Sequence, residues 1–290
     1  MNQGDDIAGI VHAVGSNVTE FKPGDRVAAL HEMITPGGGY AEYAVSPAHT
    51  TFHIPTKTTF EEAAAIPLTA ITAALGLYML LGLPEPWRPA EKKIPLVIYG
   101  ASSAVGAYAL QLAKKSGIHP LICIAGRSQG FVKQLLEESK GDVVIDYRLG
   151  QDVVAEKIRE ALGGEKLYYG YDVVCDKGSY QTICKVLEPD GNIMLVLPGK
   201  KYEEIPASVN KLVLNSSTAY TSNSDFAYVI SRFFERGLQD GWFKAHPTEV
   251  VPGGLAGIQT ALQNSKAGKA SAIKYVFRIE DTEGVEKSNL

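Results

Sequence analysis

Apolar residues in the middle of this chain come in short runs, each followed by a stretch with helical spacing. Runs at Leu96–Gly100, Pro120–Ala125, Val143–Asp146, Tyr171–Cys175 and Ile193–Leu197 predict five strands. The periodicity between them predicts helices at Val105–Lys115, Phe131–Ser139, Val153–Leu162 and Tyr180–Leu187. Regular alternation of strand and helix predicts an α/β fold: a doubly wound parallel sheet with helices on both faces, to which Lys211–Ser217 would add a sixth strand.

The flanks have a different texture. Before residue 67, short β-like segments at Ile7–Val14, Arg26–Leu30 and Tyr40–Val45 are separated by the turn clusters Lys22-Pro-Gly-Asp25 and Pro36-Gly-Gly-Gly39. That predicts part of a β-rich domain. The C-terminal segment predicts helices at Phe226–Gly237 and Gly254–Asn264, a last strand at Ala272–Ile279, and a polar tail, Glu280–Leu290, that frays.

A chain of 290 residues with 45% hydrophobic content suits one large or two medium domains. A net charge of −4, with both signs interspersed, offers no basic surface for nucleic acid. No apolar run reaches the roughly 18 residues of a membrane span, and the polar start lacks the regions of a signal peptide, so the expected compartment is cytoplasmic with no membrane partner. Cys123, Cys175 and Cys184 form no C-x-x-C pair and read as buried reduced thiols. None of the six histidines belongs to an H-E-x-x-H or Cys/His cluster. His49 and His53 are four apart, yet Pro47 and Pro55 bracket them and disfavour a helix; all six read as structural or surface residues, and no metal site is expected.

Chemistry concentrates after the first central strand, in Val97-Ile-Tyr-Gly-Ala-Ser-Ser-Ala-Val-Gly106. Gly100 permits a sharp turn, Ala101, Ser102, Ser103 and Ala104 leave room at the backbone, and the first N–H groups of the following helix, from Ala104 and Val105 on, would face a diphosphate. The spacing departs from G-x-G-x-x-G, and the segment taken alone fits an ordinary strand-to-helix turn equally well. The second strand ends Ile124-Ala-Gly-Arg-Ser128. An acidic residue there would accept hydrogen bonds from a ribose; Arg127 and Ser128 would instead bind a 2′-phosphate, and NADPH fits better than NADH. Arg127 also reads as a solvated turn residue.

Four motifs then stand in a fixed order: Gly4-Asp-Asp-Ile-Ala-Gly-Ile-Val11 with Val14-Gly15, Phe21-Lys-Pro-Gly-Asp-Arg-Val27, Gly39-Tyr-Ala-Glu-Tyr43, and Ala63-Ala-Ala-Ile-Pro-Leu-Thr69. In these the chain resembles the medium-chain dehydrogenase/reductase superfamily, specifically its zinc-free quinone oxidoreductase and enoyl reductase branch. The resemblance implies a Rossmann dinucleotide-binding domain (68–222) inserted in a GroES-like substrate domain (1–67 and 223–290). Relatives place a further segment before the first motif, so the β-rich domain is expected to be N-terminally incomplete. Where zinc-dependent members carry Gly-His-Glu, this chain has Gly4-Asp5-Asp6, which removes a metal ligand.

The same resemblance implies that Tyr147 lines the 2′-phosphate pocket, with Arg148 either beside it or exposed. Cys175, Leu197 and Pro198 would flank the cofactor, a helix bearing Thr69 and Thr72 would approach the nicotinamide, and Ser271 is a weaker candidate. It further implies hydride transfer to a small-molecule quinone, enone or enoyl substrate, and a homodimer through the edge of the Rossmann sheet. The alternative is a catalytically weak or inactive NADPH-binding protein acting through a partner subunit. No catalytic residue is assigned. Asp5 and Asp6 are neighbours pointing to opposite faces of a strand and read as structural.

Overall fold

Strand β1 (Asp6–Ile10) runs antiparallel to β2 (Arg26–Leu30), which pairs in turn with β3 (Thr51–His53). A computed structural model describes residues 3–285 and resolves into two units, Met1–Ile71 with Ser216–Leu290, and Thr72–Asn215. In the first unit the β1–β2 turn closes where the Lys22 N–H donates to the Asp25 carboxylate at 2.9 Å. Strand β2 carries core residues: Ala28, Ala29 and Leu30 are fully or almost fully buried.

The strand expected at Tyr40–Val45 does not form; that segment is a series of bends. A side chain takes its last carbonyl: buried His31 bonds the Val45 carbonyl at 2.6 Å and, outside the segment, the Thr35 carbonyl at 3.2 Å. Helix α1 (Phe60–Ala63) starts with a capping box, in which Thr59 and Glu62 exchange side-chain and backbone bonds at 3.2 and 2.9 Å. Helix α2 (Pro67–Ala74) continues as a π-helical turn over Leu75–Leu80. Contrary to the sequence expectation, Phe60–Leu80 is long and apolar enough for a membrane span by length and composition. It is 72% buried, the mark of a core helix.

In the second unit, strands and helices alternate: β4 (Leu96–Tyr99), α3 (Ala104–Lys115), β5 (Leu121–Ala125), α4 (Gln129–Lys133), β6 (Val143–Asp146), α5 (Gln151–Leu162), β7 (Tyr169–Asp172), α6 (Ser179–Cys184), β8 (Asn192–Leu195) and β9 (Asn210–Val213). All six strands are parallel, in the order β6-β5-β4-β7-β8-β9. The winding reverses between β4 and β7, and in such sheets the crevice outside the carboxyl ends at that point takes the ligand. Helix α4 stops well short of Ser139, because the Glu137 N–H turns to the Asp142 carboxylate at 3.0 Å. Strand β7 starts at Tyr169 and ends at Asp172, three residues before the expected Cys175. Asp172 ends it by accepting from the N–H groups of Val174 and Cys175 at 2.8 and 3.0 Å.

The chain then returns to the first unit through α7 (Ser224–Asp240), β10 (Thr248–Val250), α8 (Ile258–Lys266) and β11 (Lys274–Val276), β10 and β11 forming a short parallel pair. The two segments are joined by partly buried polar contacts. Arg232 donates to the Thr51 carbonyl at 2.5 Å and pairs with Glu20. Asp6 accepts from the Leu68 N–H at 2.6 Å and pairs with Lys274, the structural part expected of it. The tail is anchored further than expected, since the Thr282 hydroxyl accepts from the Leu255 N–H at 2.9 Å. The last residues of the expected frayed tail, 286–290, lie outside the described residues.

The histidines fill structural places: His49 bonds the Ala219 carbonyl, His53 lies between Asp25 and Glu235, and His119 meets Asp142 at 2.8 Å. His246 is buried, and burial, helped by the Lys274 charge, pushes its imidazole from 6.5 down to about 4. A neutral buried histidine stabilises the fold above pH 6.5, and that contribution is lost as pH falls toward 4, because the unfolded chain takes the proton first. The loss is of order 3 kcal/mol. Urea unfolding at pH 7 and pH 4.5 checks it: His246→Phe is expected to flatten the pH dependence, and an unchanged slope would remove His246 from the account.

Candidate cofactor site

Gly100 and Gly106 shape the turn after β4, and a third glycine shapes the turn after β5. Gly100 adopts φ +85°, and a Cβ there would stand 2.7 and 2.8 Å from the methyls of Val173 and Val174. Gly106 lets α3 sit directly on the strand end: a Cβ would overlap the Gly100 carbonyl oxygen and lie 2.8 Å from the Ala101 Cα. Ser103 caps α3, its hydroxyl accepting from the Gly106 N–H at 3.1 Å. Accepting this bond fixes the Ser103 oxygen within the turn and leaves its O–H as a donor. Ser102, Ala104 and Val105 remain partly exposed around the helix N-terminus, where N–H groups point outward.

One strand over, Gly126, Arg127 and Ser128 follow β5, with Arg127 exposed and Ser128 at the N-cap of α4. The third glycine, Gly126, is where the Tyr147 ring rests: a Cβ there would overlap the ring edge and stand 3.0 Å from Cζ. Tyr147 is 49% exposed, and its ring and hydroxyl lie beside Gly126 at the Arg127 turn. Arg148 is spoken for. Its guanidinium grips Asp146 through Nε at 2.9 and 3.1 Å and a terminal nitrogen at 2.6 Å. These bonds hold the Asp146 carboxyl down at about 2.

On the other side of the switch point, the β7–α6 turn departs from expectation. Cys175 sits at φ +57° with its thiol fully buried in the core, so it presents no side chain to a ligand. Val174 is exposed in that turn, together with Asp176 and Lys177; the sequence reading passed over Val174 because Asp-Val-Val-Cys reads as strand interior. Burial pushes the Asp172 carboxyl up, against the bonds it accepts from Cys175, Ser179 and Val174. Leu197 and Pro198 are exposed past β8. Their loop is fastened: Tyr202 donates to the Leu197 carbonyl at 2.8 Å, and Lys200 donates to the Cys175 carbonyl at 2.5 Å and meets Asp176 at 3.3 Å.

Thr72 is buried, and the Tyr171 hydroxyl donates to its carbonyl at 3.1 Å and to that of Ala73 at 3.3 Å. Ser271 belongs to the other unit, where it is exposed in the turn before β11. The structure thus gathers Ser102 to Val105, Arg127, Ser128, Tyr147, Leu197 and Pro198 along the carboxyl edge of one sheet, adds Val174, and buries Thr72 and Cys175.

The model of the Alcohol dehydrogenase GroES-like domain matches residues 1–56, and that of the Zinc-binding dehydrogenase matches residues 104–234. Trans-enoyl reductase fsr4 of Gibberella fujikuroi is 56% identical over 260 residues, covering 89% of this chain and 77% of that protein. The chain belongs to the medium-chain dehydrogenase/reductase superfamily. Trans-enoyl reductase ACTTS2 of Alternaria alternata is a more distant relative, 27% identical over 96% of this chain and 83% of its own. Among solved structures the fold matches CurK enoyl reductase (TM-score 0.76, 22% identity, 93% of this chain and 78% of that one). It also matches a quinone oxidoreductase of Pseudomonas syringae (0.73, 24%, 94% and 81%).

As a medium-chain dehydrogenase/reductase the chain is an oxidoreductase with a pyridine-nucleotide fold. The residues fit such a cofactor: Gly100 and Gly106 clear a cradle at the switch point, helix N–H groups face it, and apolar side chains rim it. Zinc is a different matter. Among the described residues no three His, Cys, Asp or Glu side chains stand together as a ligand set.

Proposed function

We propose that this protein is a zinc-independent, NADPH-dependent enoyl reductase. The observation that carries the reading is the carboxyl edge of the parallel sheet, where the glycine cradle and the Arg127, Ser128 and Tyr147 cluster stand side by side; the 56% identity to a trans-enoyl reductase supports the choice of substrate. Bound there, a reduced nicotinamide supplies a hydride to the electron-poor carbon of an α,β-unsaturated carbonyl compound. The chain's own residues bind and orient. Ala104 and Val105 turn their N–H groups to a diphosphate, and the dipole of the twelve-residue α3 adds to the attraction. Arg127 supplies a charge-assisted donor for the 2′-phosphate, with the hydroxyls of Ser128 and Tyr147 beside it. Val174 and Leu197 give the rings apolar surface, and Lys200 and Tyr202 keep the Leu197 loop from moving away.

The test is NADPH oxidation with a 2-enoyl thioester, a simple enone and a benzoquinone as acceptors. The thioester is expected to give the highest kcat/KM. Preference for the quinone would move the protein to the quinone reductase side of its superfamily, and tight cofactor binding without turnover on any acceptor would favour a non-catalytic partner protein.

A further inference from the structure

We propose that Arg148 sets the preference for a phosphorylated cofactor without binding the phosphate, by cancelling the charge of Asp146. The inference rests on the reading that this sheet edge holds NADPH. Strands β5 and β6 are in register with Ala125 opposite Asp146, so the carboxylate stands one strand spacing from the residue that leads into Gly126 and Arg127. A carboxylate at the end of this part of the sheet is what favours an unphosphorylated ribose: it accepts from the 2′-hydroxyl and repels a 2′-phosphate. Asp146 is thus a carboxylate on the wrong side of an NADPH pocket.

The chain disarms it completely. One oxygen accepts from the Arg148 backbone N–H at 2.9 Å and from Nε at 2.9 Å. The other accepts from the Arg148 terminal nitrogen at 2.6 Å and from the Gln129 side chain at 2.9 Å. Both oxygens are occupied, and an Arg fork held by two parallel bonds is the strongest neutralising geometry available to a carboxylate. The same fork keeps the guanidinium turned toward Asp146, which leaves phosphate binding to Arg127. Gln129, the residue after Ser128, ties the pair to the start of α4, so the neutralised carboxylate is fixed beside the proposed phosphate ligands.

Calorimetric titration with NADPH and with NADH separates this role from others. Arg148→Ala unmasks the carboxylate and is expected to weaken NADPH about fivefold while NADH stays within about twofold, with the gap closing as salt is raised from 0.05 to 0.5 M. Asp146→Asn combined with Arg148→Ala removes both charges, keeps an acceptor for the turn, and is expected to restore NADPH to within about twofold of the parent. If the double variant binds NADPH as poorly as Arg148→Ala, Arg148 is itself a phosphate ligand and the proposal is overturned. Equal losses for both cofactors in Arg148→Ala, or no loss, overturn it as well. A parent protein that does not prefer NADPH over NADH overturns the cofactor reading and this inference with it, whereas a parent preference unmoved by Arg148→Ala removes the inference alone.

Discussion

Gly106→Ala is expected to cost roughly 3 kcal/mol of stability and at least tenfold in cofactor affinity. The added Cβ meets backbone on two residues, the Gly100 carbonyl oxygen and the Ala101 Cα at 2.8 Å, and backbone cannot rotate aside as a side chain would. Helix α3 must therefore lift from β4, and its N-terminal N–H groups lose their aim at the crevice. Gly130→Ala is the control: it lies inside α4, a Cβ there meets nothing within 4 Å, and the change is expected to be neutral or stabilising by up to about 1 kcal/mol. Thermal unfolding and a cofactor titration on the two variants decide the matter. If Gly106→Ala binds and melts like the parent, the close approach of α3 to the strand is not what builds the cradle.

Arg127→Asp is expected to weaken NADPH by about 100-fold and NADH by no more than about threefold. The substitution removes a charge-assisted donor and places a carboxylate at the end of β5, where it accepts from a free ribose hydroxyl instead. Because the Arg127 side chain is exposed, stability is expected to change by less than about 0.5 kcal/mol, so a loss of binding reports on the ligand and not on folding. Equal losses for both cofactors would remove Arg127 from the phosphate site.

The parallel sheet and its cradle were legible in the sequence because their signals are local. An apolar run, Leu96 to Tyr99, breaking into small residues and resuming with helical spacing, can satisfy its backbone in few other ways. Where side chains compete for backbone groups, the pattern misleads. Tyr40 to Val45 alternates like a strand, yet His31 takes the Val45 carbonyl from a distance of fourteen residues, and no hydropathy pattern carries that. Asp-Val-Val-Cys reads as continuous strand, yet Asp172 caps its own successors and throws Val174 outward and Cys175 inward. The Asp146–Arg148 fork is adjacent in sequence but shows its meaning only through the β5–β6 register. The exposed Leu197, by contrast, follows from an apolar run that ends at a proline, a signal the sequence displays.

The central claim is that this sheet edge holds NADPH and that the protein uses it to reduce an enoyl carbon–carbon double bond. The most direct measurement is turnover of a 2-enoyl thioester with NADPH deuterated at the nicotinamide C4, followed by mass spectrometry of the product. The account predicts one deuterium, on the carbon β to the thioester carbonyl, from one face of the nicotinamide only. A saturated product with no deuterium at that carbon from either labelled face, or no product from a protein that binds NADPH tightly, would contradict it.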